Sequence, residues 1–328
     1  MRRRLVLASA LAASPLVPAA PRRRAAAQTA PAAAGLPVIA SFSILGDMAR
    51  EVGGGRAAVR SIAGPEADPH TFQARPSDVQ ALREAALIVR NGLAFEPWFD
   101  RLVRSAGYAG PVVTATDGVQ PRGMEAAHDH DHDHGYAGAT RPRQHYVPPR
   151  RVADPHCWQD LRLGQAYVRA IAAGLAAADP GGAALYRRGA EAYQQRLAAL
   201  DNWVRAQVAT VPPPRRKVVT SHDALGYFGD AYGIQFLPAQ GITTESQPSA
   251  AQVAALIRQV RTEGITAVFI DAPGSAPVLR RLADEAGVRV SGRLYADALS
   301  PPDGPAPTYE AMFRHNVGLL VPAMRGNA

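Results

Sequence analysis

The chain has 328 residues, and 47% of them are hydrophobic, which is enough for one large domain or two of ordinary size. Its formal net charge of +8 points at first to an acidic partner, but six arginines and no acidic residue lie within the first 27 residues. Without that segment the charge falls from +8 to +2, which removes the main argument for a nucleic-acid or membrane-surface partner.

The first 27 residues predict a secretory signal peptide. They begin with a basic cluster, continue with a short apolar stretch and end in small residues, so we expect cleavage near Ala27. The arginines fit either the Sec or the twin-arginine export route. No cysteine lies near the cleavage site, so we expect no lipid anchor. With Cys157 as its one cysteine, the exported protein should be soluble and without internal disulfides.

Short β-branched runs then alternate with helical patterns. After a flexible Ala/Pro-rich leader at 28–35, strands are predicted at 37–41, 57–62, 86–91 and 111–115. One helix between them is predicted to begin with a capping box formed by Ser77 and Gln80. Strands that alternate with helices indicate a mainly parallel sheet. We therefore predict an N-terminal lobe at 36–181, including a long His-rich loop at 123–150.

One long helix is predicted at 182–211, in the middle of the chain. Apolar residues recur there at helical spacing and form one stripe: Leu185, Tyr193, Leu197, Leu200, Val204 and Val208. Three consecutive prolines starting at Pro212 end the pattern. A single long helix at this place is expected to link two lobes.

The α/β alternation resumes in a predicted C-terminal lobe at 212–328. Strands are predicted at 217–221, 267–271 and 288–292. A helix between them has a capping box of Ser249 and Gln252 and stops at Gly264. The predicted fold class is α/β, with two lobes, each a mainly parallel sheet flanked by helices, bridged by one long helix.

Three histidines stand in constrained positions near the ends of predicted strands. His70 and His156 each follow Asp-Pro, and proline restricts both its own backbone and that of the residue before it. His222 lies at the carboxyl end of the predicted strand 217–221, where open α/β sheets bind ligands. One such histidine is more often a capping or surface residue, but the three together indicate a metal site.

The spacing of the sequence leaves the fourth ligand open. A zinc site usually takes four ligands from histidine, cysteine and carboxylate. Asp297, Asp271 and Glu245 are all candidates, and both aspartates lie near strand ends. Cys157 adjoins His156, but neighbouring side chains point in different directions, so we expect Cys157 to be a buried residue that does not bind metal.

Four stretches occur in an order that resembles the solute-binding subunits of zinc and manganese ABC importers: DPHTFQARPSD, DPHCW, SHDALGYF and LYADALSPPDGPAPTYEAMFRHN. The resemblance extends over nearly the whole chain after the leader. It implies two lobes bridged by a long helix, with metal bound between them. It implies His70 and His156 as ligands from the first lobe and His222 and Asp297 from the second. It thereby favours Asp297 over Asp271.

The resemblance also bears on the metal and the function. Family members of the manganese type carry glutamate at the position of His222, whereas three imidazoles and one carboxylate suit four-coordinate zinc. We therefore predict a periplasmic protein, not an enzyme, that captures Zn²⁺ and delivers it to an inner-membrane ABC permease. We expect a monomer without a nucleic-acid partner, and a periplasmic metallochaperone is a further candidate partner.

Two alternative functions stay open at this point. A secreted zinc hydrolase would need an open metal position for water, but the chain has no HExxH motif and four protein ligands would close the site. A zinc-buffering or adhesion protein would use the same site without a permease. Growth that depends on metal and a neighbouring permease gene would separate this second alternative from transport.

A run of alternating histidine and aspartate, AHDHDHDHGY at 127–136, offers further donors. We predict that it binds metal weakly and exchanges it fast, as an accessory to the main site, through His128, His130, His132 and His134. The alternative is a solvated polar loop without a role in transport. His315, within an amphipathic C-terminal pattern, is expected to be structural.

Overall fold

The computed structural model of the chain describes residues 35–125, 151–241, 243–244 and 248–326. The predicted signal peptide, most of the leader, the histidine run and Glu245 lie outside these residues. None of the helices in the described part of the chain has the length and apolarity needed to cross a membrane.

The N-terminal lobe is built on a four-stranded parallel sheet. Its strands are β1 (Leu36–Phe42), β2 (Ala57–Ala63), β3 (Leu87–Arg90) and β4 (Val112–Thr114). They lie in the order β2-β1-β3-β4, and the helices of this part are α1 (Ser43–Gly53), α2 (Pro76–Arg83) and α3 (Pro97–Ala106). All four strands agree with the sequence prediction.

Helix α2 begins two residues earlier than the capping box predicted at Ser77, because its N-cap residue is Arg75. Arg75 is extended and precedes Pro76, which tolerates the first helical position because that position needs no N–H donor. The Arg75 N–H donates to the Asp78 carboxylate at 2.8 Å. The predicted cap at Ser77 is therefore wrong, since Ser77 already lies within the first turn.

A short antiparallel hairpin follows the first sheet. Its strands are β5 (Gly123–Glu125) and β6 (Arg151–Ala153), and Gly123 pairs with Ala153. The two strands flank residues 126–150, which are outside the described part. Residues 123–125 are therefore strand rather than part of the predicted loop, which the sequence did not show because each strand has only three residues.

Two helices pack side by side after the hairpin, α4 (Leu161–Ala178) and α5 (Ala183–Ala209). The long helix α5 also contacts α1 and the C-terminal helix. Most of its predicted apolar stripe is buried, but Leu185 is exposed and the adjoining Tyr186 takes the buried position. The helix ends before the three consecutive prolines.

The C-terminal lobe repeats the architecture with a second parallel sheet in the order β10-β9-β7-β8. Its strands are β7 (Lys217–Thr220), β8 (Gln235–Pro238), β9 (Val268–Ile270) and β10 (Val290–Arg293). Its helices are α6 (Gly226–Tyr232), α7 (Ala250–Glu263), α8 (Ala276–Ala286) and α9 (Tyr309–Met324). The capping box of Ser249 and Gln252 and the left-handed Gly264 that ends α7 are confirmed.

The buried apolar side chains form two clusters. The larger one joins the N-terminal lobe, α5, α6, α9 and one face of the second sheet. The smaller one lies between the other face of that sheet and α7 and α8. Val218 and Val219 belong to different clusters because adjacent residues of a strand face opposite sides. The predicted α/β class, with two parallel-sheet lobes and one long helix, is confirmed.

Candidate metal centre

Four loops bring the predicted ligands together. His70 lies between β2 and α2, His156 follows β6, His222 follows β7, and Asp297 follows β10. All four side chains are buried, and each offers a ligand atom that lies within 4.8 Å of those of the other three. In open α/β sheets such loops at the carboxyl ends of strands commonly form the ligand site.

Each of the three imidazoles directs its Nε2 atom toward the carboxylate of Asp297. Nε2 of His222 lies 2.8 Å from Asp297 Oδ2, and Nε2 of His70 lies 3.4 Å from the same oxygen. Nε2 of His156 lies 3.6 Å from Asp297 Oδ1 and 3.4 Å from Nε2 of His70. Tetrahedral zinc with bonds of about 2.0–2.1 Å places ligand atoms about 3.3 Å apart. The spacing of these donors therefore fits one small four-coordinate cation.

One oxygen of the cluster lacks a partner. Asp297 Oδ1 is buried and accepts no hydrogen bond from any described residue. A buried carboxylate oxygen without a donor costs free energy, and buried polar atoms are normally paired. A cation between the four side chains would remove that cost, so the donor set fits a metal ion.

Two further carboxylates lie behind the imidazoles. Asp154 Oδ1 lies 2.8 Å from Nδ1 of His156, and Asp271 Oδ2 lies 3.0 Å from Nδ1 of His222. The contact between Asp154 and His156 is a hydrogen bond. The contact between Asp271 and His222 is close, but its geometry does not meet the criteria for a hydrogen bond. Carboxylates in this position orient metal-binding imidazoles and favour the tautomer with a free Nε2 lone pair. Asp271 thus lies behind His222, and Asp297 is the carboxylate among the four.

Burial and charge act in opposite directions on these groups. Burial disfavours the charged form of His222, but Asp297 and Asp271 outweigh it and raise the pKa of His222 well above its usual value. Burial also opposes ionisation of Asp297, but the imidazoles dominate and hold the pKa of Asp297 well below its usual value. For His70, burial dominates and lowers the pKa. A metal ion must therefore displace a proton from His222, and its affinity should fall as pH decreases.

Aromatic rings enclose the first two histidines. The ring of Phe95 lies 4.8 Å from that of His70 and 5.6 Å from that of His156, and Trp158 lies 5.3 Å from His156. Phe95 and Trp158 both belong to the larger buried apolar cluster. They pack against both imidazoles, which are buried.

Tryptophan and glutamine side chains also anchor the loops that carry His70 and Asp297. Trp98 Nε1 donates to the Pro69 carbonyl at 2.6 Å, directly before His70 in the chain. Trp158 Nε1 and Gln159 Nε2 both donate to the Ala296 carbonyl, at 2.9 and 2.8 Å. The loop that carries Asp297 is therefore tied to the N-terminal lobe, which local sequence patterns do not show.

Cys157 is buried beside the centre but is not one of the four. Its thiol donates to Tyr227 Oη at 3.1 Å, and burial raises the pKa of the thiol to about 11. We expect Cys157→Ser to leave zinc affinity unchanged within error in a competition titration, because the thiol makes its contact elsewhere. A sulfur scatterer at about 2.3 Å in the X-ray absorption spectrum of the bound metal would contradict this expectation.

His315 is not part of the four-residue cluster. Nε2 of His315 lies 2.9 Å from the Arg293 carbonyl, which is a structural contact within the C-terminal lobe. The predicted accessory ligands lie outside the described residues and stay a prediction: His128, His130, His132 and His134.

Comparison of the sequence with known proteins agrees with this architecture. The family model described as zinc-uptake complex component A, periplasmic, matches residues 38–323. The manganese-binding lipoprotein MntA of Halalkalibacterium halodurans is 30% identical over 287 residues, which cover 88% of each chain. The zinc-binding protein TroA of Treponema pallidum is 29% identical over 295 residues, which cover 88% of each chain. Because some relatives are lipoproteins, the absence of a lipid anchor stays a prediction.

Solved structures show the same fold. The periplasmic zinc-binding protein TroA superposes with a TM-score of 0.75 and 28% identity, covering 88% of this chain and 99% of that one. A manganese-bound periplasmic metal-binding protein from Candidatus Liberibacter asiaticus gives 0.72 and 26%, covering 88% and 98%. These are solute-binding proteins of transport systems and not enzymes. The chain belongs to the family of metal-binding ABC-transporter substrate-binding proteins that includes the periplasmic component A of zinc-uptake complexes.

Proposed function

We propose that the protein captures Zn²⁺ between its two lobes and delivers it to an ABC import permease. The observation that supports this function best is the buried set of three Nε2 atoms around Asp297, of which one carboxylate oxygen has no donor among the described residues. Four protein donors complete the coordination of a carried zinc ion and leave no position for a catalytic water. The same observation therefore disfavours the secreted hydrolase.

Manganese is the second candidate cargo. The relative MntA is named as manganese-binding, and a relative from Yersinia pestis, YfeA, is named as iron-binding. The donor set of this chain favours zinc, because three imidazole nitrogens and one carboxylate suit four-coordinate zinc, whereas manganese prefers more oxygen donors.

Metal analysis of protein purified from the periplasm without added metal tests the identity of the cargo. Metals added in vitro follow the Irving–Williams order, so copper or nickel can occupy the same donors and mislead the result. We expect one tightly held zinc per molecule, lost in His70→Ala. Manganese or iron as the stoichiometric metal would overturn the zinc assignment.

Growth in chelated medium tests delivery to a permease. A strain that lacks the gene should grow poorly under zinc limitation, and added zinc should restore it. A strain that lacks the permease should show the same growth defect. A strain that lacks both genes should grow no worse than either single deletion strain. Normal growth of both strains would favour a zinc-buffering or adhesion role instead.

Deletion of Ala127–Tyr136 is predicted to leave the tight site intact but to slow zinc capture at low metal. The histidine run is tethered between β5 and β6, close in the chain to His156, and tethering raises the local concentration of the metal it holds. Its imidazoles must be deprotonated to bind, so its weak binding should fade as pH falls through about 6.5. Titration should show one tight class and one or more weak, pH-sensitive classes.

A variant with the four histidines of the run changed to asparagine is the matched control, since it keeps the length of the segment. Both variants should lose only the weak class. Loss of the tight class would mean that the run is the primary site. An unchanged capture rate in both variants would mean that the run has no role in zinc capture.

A further inference from the structure

Arg122 forms a polar link at the base of the β5–β6 hairpin. Its Nη1 donates to Asp154 Oδ2 at 3.1 Å, and its Nε lies 3.0 Å from Asp230 Oδ2. Asp154 is fully buried, whereas the side chains of Arg122 and Asp230 are 30% and 65% exposed. The Asp154 N–H also donates to the Arg122 carbonyl at 3.0 Å, so backbone and side chain together close the hairpin.

Asp154 divides its two oxygens between Arg122 and His156. Oδ1 accepts the backbone N–H of His156 at 3.0 Å and lies 2.8 Å from Nδ1 of the same residue. Oδ2 contacts the guanidinium of Arg122. A carboxylate held at both oxygens cannot rotate, so the position of Arg122 is transmitted to the imidazole of His156.

The other end of the link reaches the C-terminal lobe. Asp230 belongs to α6, which begins at Gly226, shortly after His222 in the chain. The Arg122 backbone N–H donates to Tyr227 Oη at 2.9 Å, also on α6. Arg122 therefore joins the carboxylate behind His156 to the helix that follows His222.

Gly226 makes room for this link. A Cβ atom at Gly226 would lie 1.7 Å from Nη1 of Arg122 and 3.1 Å from Asp154 Oδ2. The backbone of α6 thus passes directly beside the guanidinium. A side chain there would displace the end of the flexible arginine rather than the helix.

We infer that Arg122 is a positioning residue for metal binding, which fixes His156 through Asp154 and couples that ligand to helix α6 of the other lobe. The inference rests on the proposed function, because it assigns a role toward a metal held by His156. Without the guanidinium, Asp154 Oδ2 would be a buried carboxylate oxygen with no donor among the described residues, and the carboxylate would reorient away from Nδ1.

The test measures the rate of zinc loss to an excess of chelator. Residues that hydrogen-bond a metal ligand typically contribute about 10–100-fold to metal affinity. Arg122 contacts such a residue, Asp154, and not the ligand itself. We therefore expect Arg122→Gln to speed zinc loss about tenfold. Gly226→Ala should act in the same direction although it keeps the charge. Arg122→Lys should recover part of the loss. Absorption of the cobalt-substituted protein should shift in Arg122→Gln, since the geometry at His156 changes.

Two controls separate positioning from general loosening of the lobes. Glu66→Gln breaks another ion pair between the lobes, Arg293 with Glu66 at 2.9 Å, that has no contact with a ligand, and it should leave the rate unchanged. In an Asp154→Asn background, Arg122→Gln should have no further effect, because both act by one route.

Each outcome has a defined meaning. Wild-type protein that holds no stoichiometric zinc would contradict the proposed function itself. Wild-type binding with unchanged rates in Arg122→Gln and Gly226→Ala would overturn only the inference about Arg122. Equal acceleration by Glu66→Gln, or a full additional effect in the Asp154→Asn background, would also overturn it.

Discussion

Zinc should raise the midpoint of thermal unfolding of the protein, and His156→Ala should abolish that rise. His70 and His156 come from the N-terminal lobe, whereas His222 and Asp297 follow strands of the second sheet, so an ion among them binds only the folded chain. A ligand of the native state at a thousandfold excess over its Kd stabilises by about 4 kcal/mol. For a chain of this size that corresponds to a rise of roughly 7 °C.

The measurement is the difference in midpoint between zinc-loaded and chelator-treated protein. His156→Ala should also lower the metal-free midpoint, because it leaves a cavity and removes the imidazole that pairs with Oδ1 of buried Asp154. His315→Gln is the matched control, since His315 has a structural contact outside the centre and should keep the zinc-dependent rise. An equal rise in His156→Ala and wild type would show that zinc stabilises the protein from another site.

The histidine run should contribute little to this rise. Its donors lie within a short continuous stretch of sequence, so the unfolded chain can offer them as well as the folded one. A ligand that binds both states with equal affinity does not change the unfolding equilibrium. Thermal unfolding therefore reports on the four-residue centre, whereas a titration counts both classes of zinc.

Elements with a long local pattern could be predicted from the sequence. The apolar stripe of α5 and the capping box at Ser249 involve residues within one or two helical turns, and local spacing is enough to define them. Strand β8 was missed because it has four residues, lies at the edge of its sheet and ends in Pro238. Helix α2 starts at Pro76 because a proline outweighs a serine in fixing the first turn.

The choice between Asp271 and Asp297 could not be made from spacing. Both residues follow parallel strands, and which one faces the histidines depends on contacts between distant parts of the chain. Asp271 Oδ1 accepts the Ser221 N–H at 2.6 Å, which holds it on the Nδ1 side of His222. The loop of Asp297 is drawn inward by Trp158. The family resemblance favours Asp297 because a motif shared with proteins of the same fold carries the effect of these distant contacts.

His222→Glu should weaken zinc binding strongly and shift the preference of the centre toward manganese. The substitution replaces one nitrogen donor by oxygen, which gives two imidazoles and two carboxylates. Manganese prefers such oxygen-rich sites, whereas zinc binds imidazole well. Mutation of a residue that hydrogen-bonds a metal ligand typically lowers metal affinity ~10–100-fold. Because His222→Glu changes a ligand itself, we expect a larger loss of zinc affinity. Competition titrations with both metals measure the ratio of the two dissociation constants.

The environment of His222 supplies the controls for this substitution. Nδ1 of His222 faces Asp271 at 3.0 Å, so a glutamate there would add a third buried carboxylate beside Asp271 and Asp297. Like charges at this distance oppose ionisation, and the metal-free variant should be less stable. Adding Asp271→Asn to His222→Glu should recover the stability of the metal-free protein without restoring the preference for zinc. His222→Gln should weaken the binding of both zinc and manganese, because it adds no charge. An unchanged zinc-to-manganese ratio in His222→Glu would show that His222 does not select the metal.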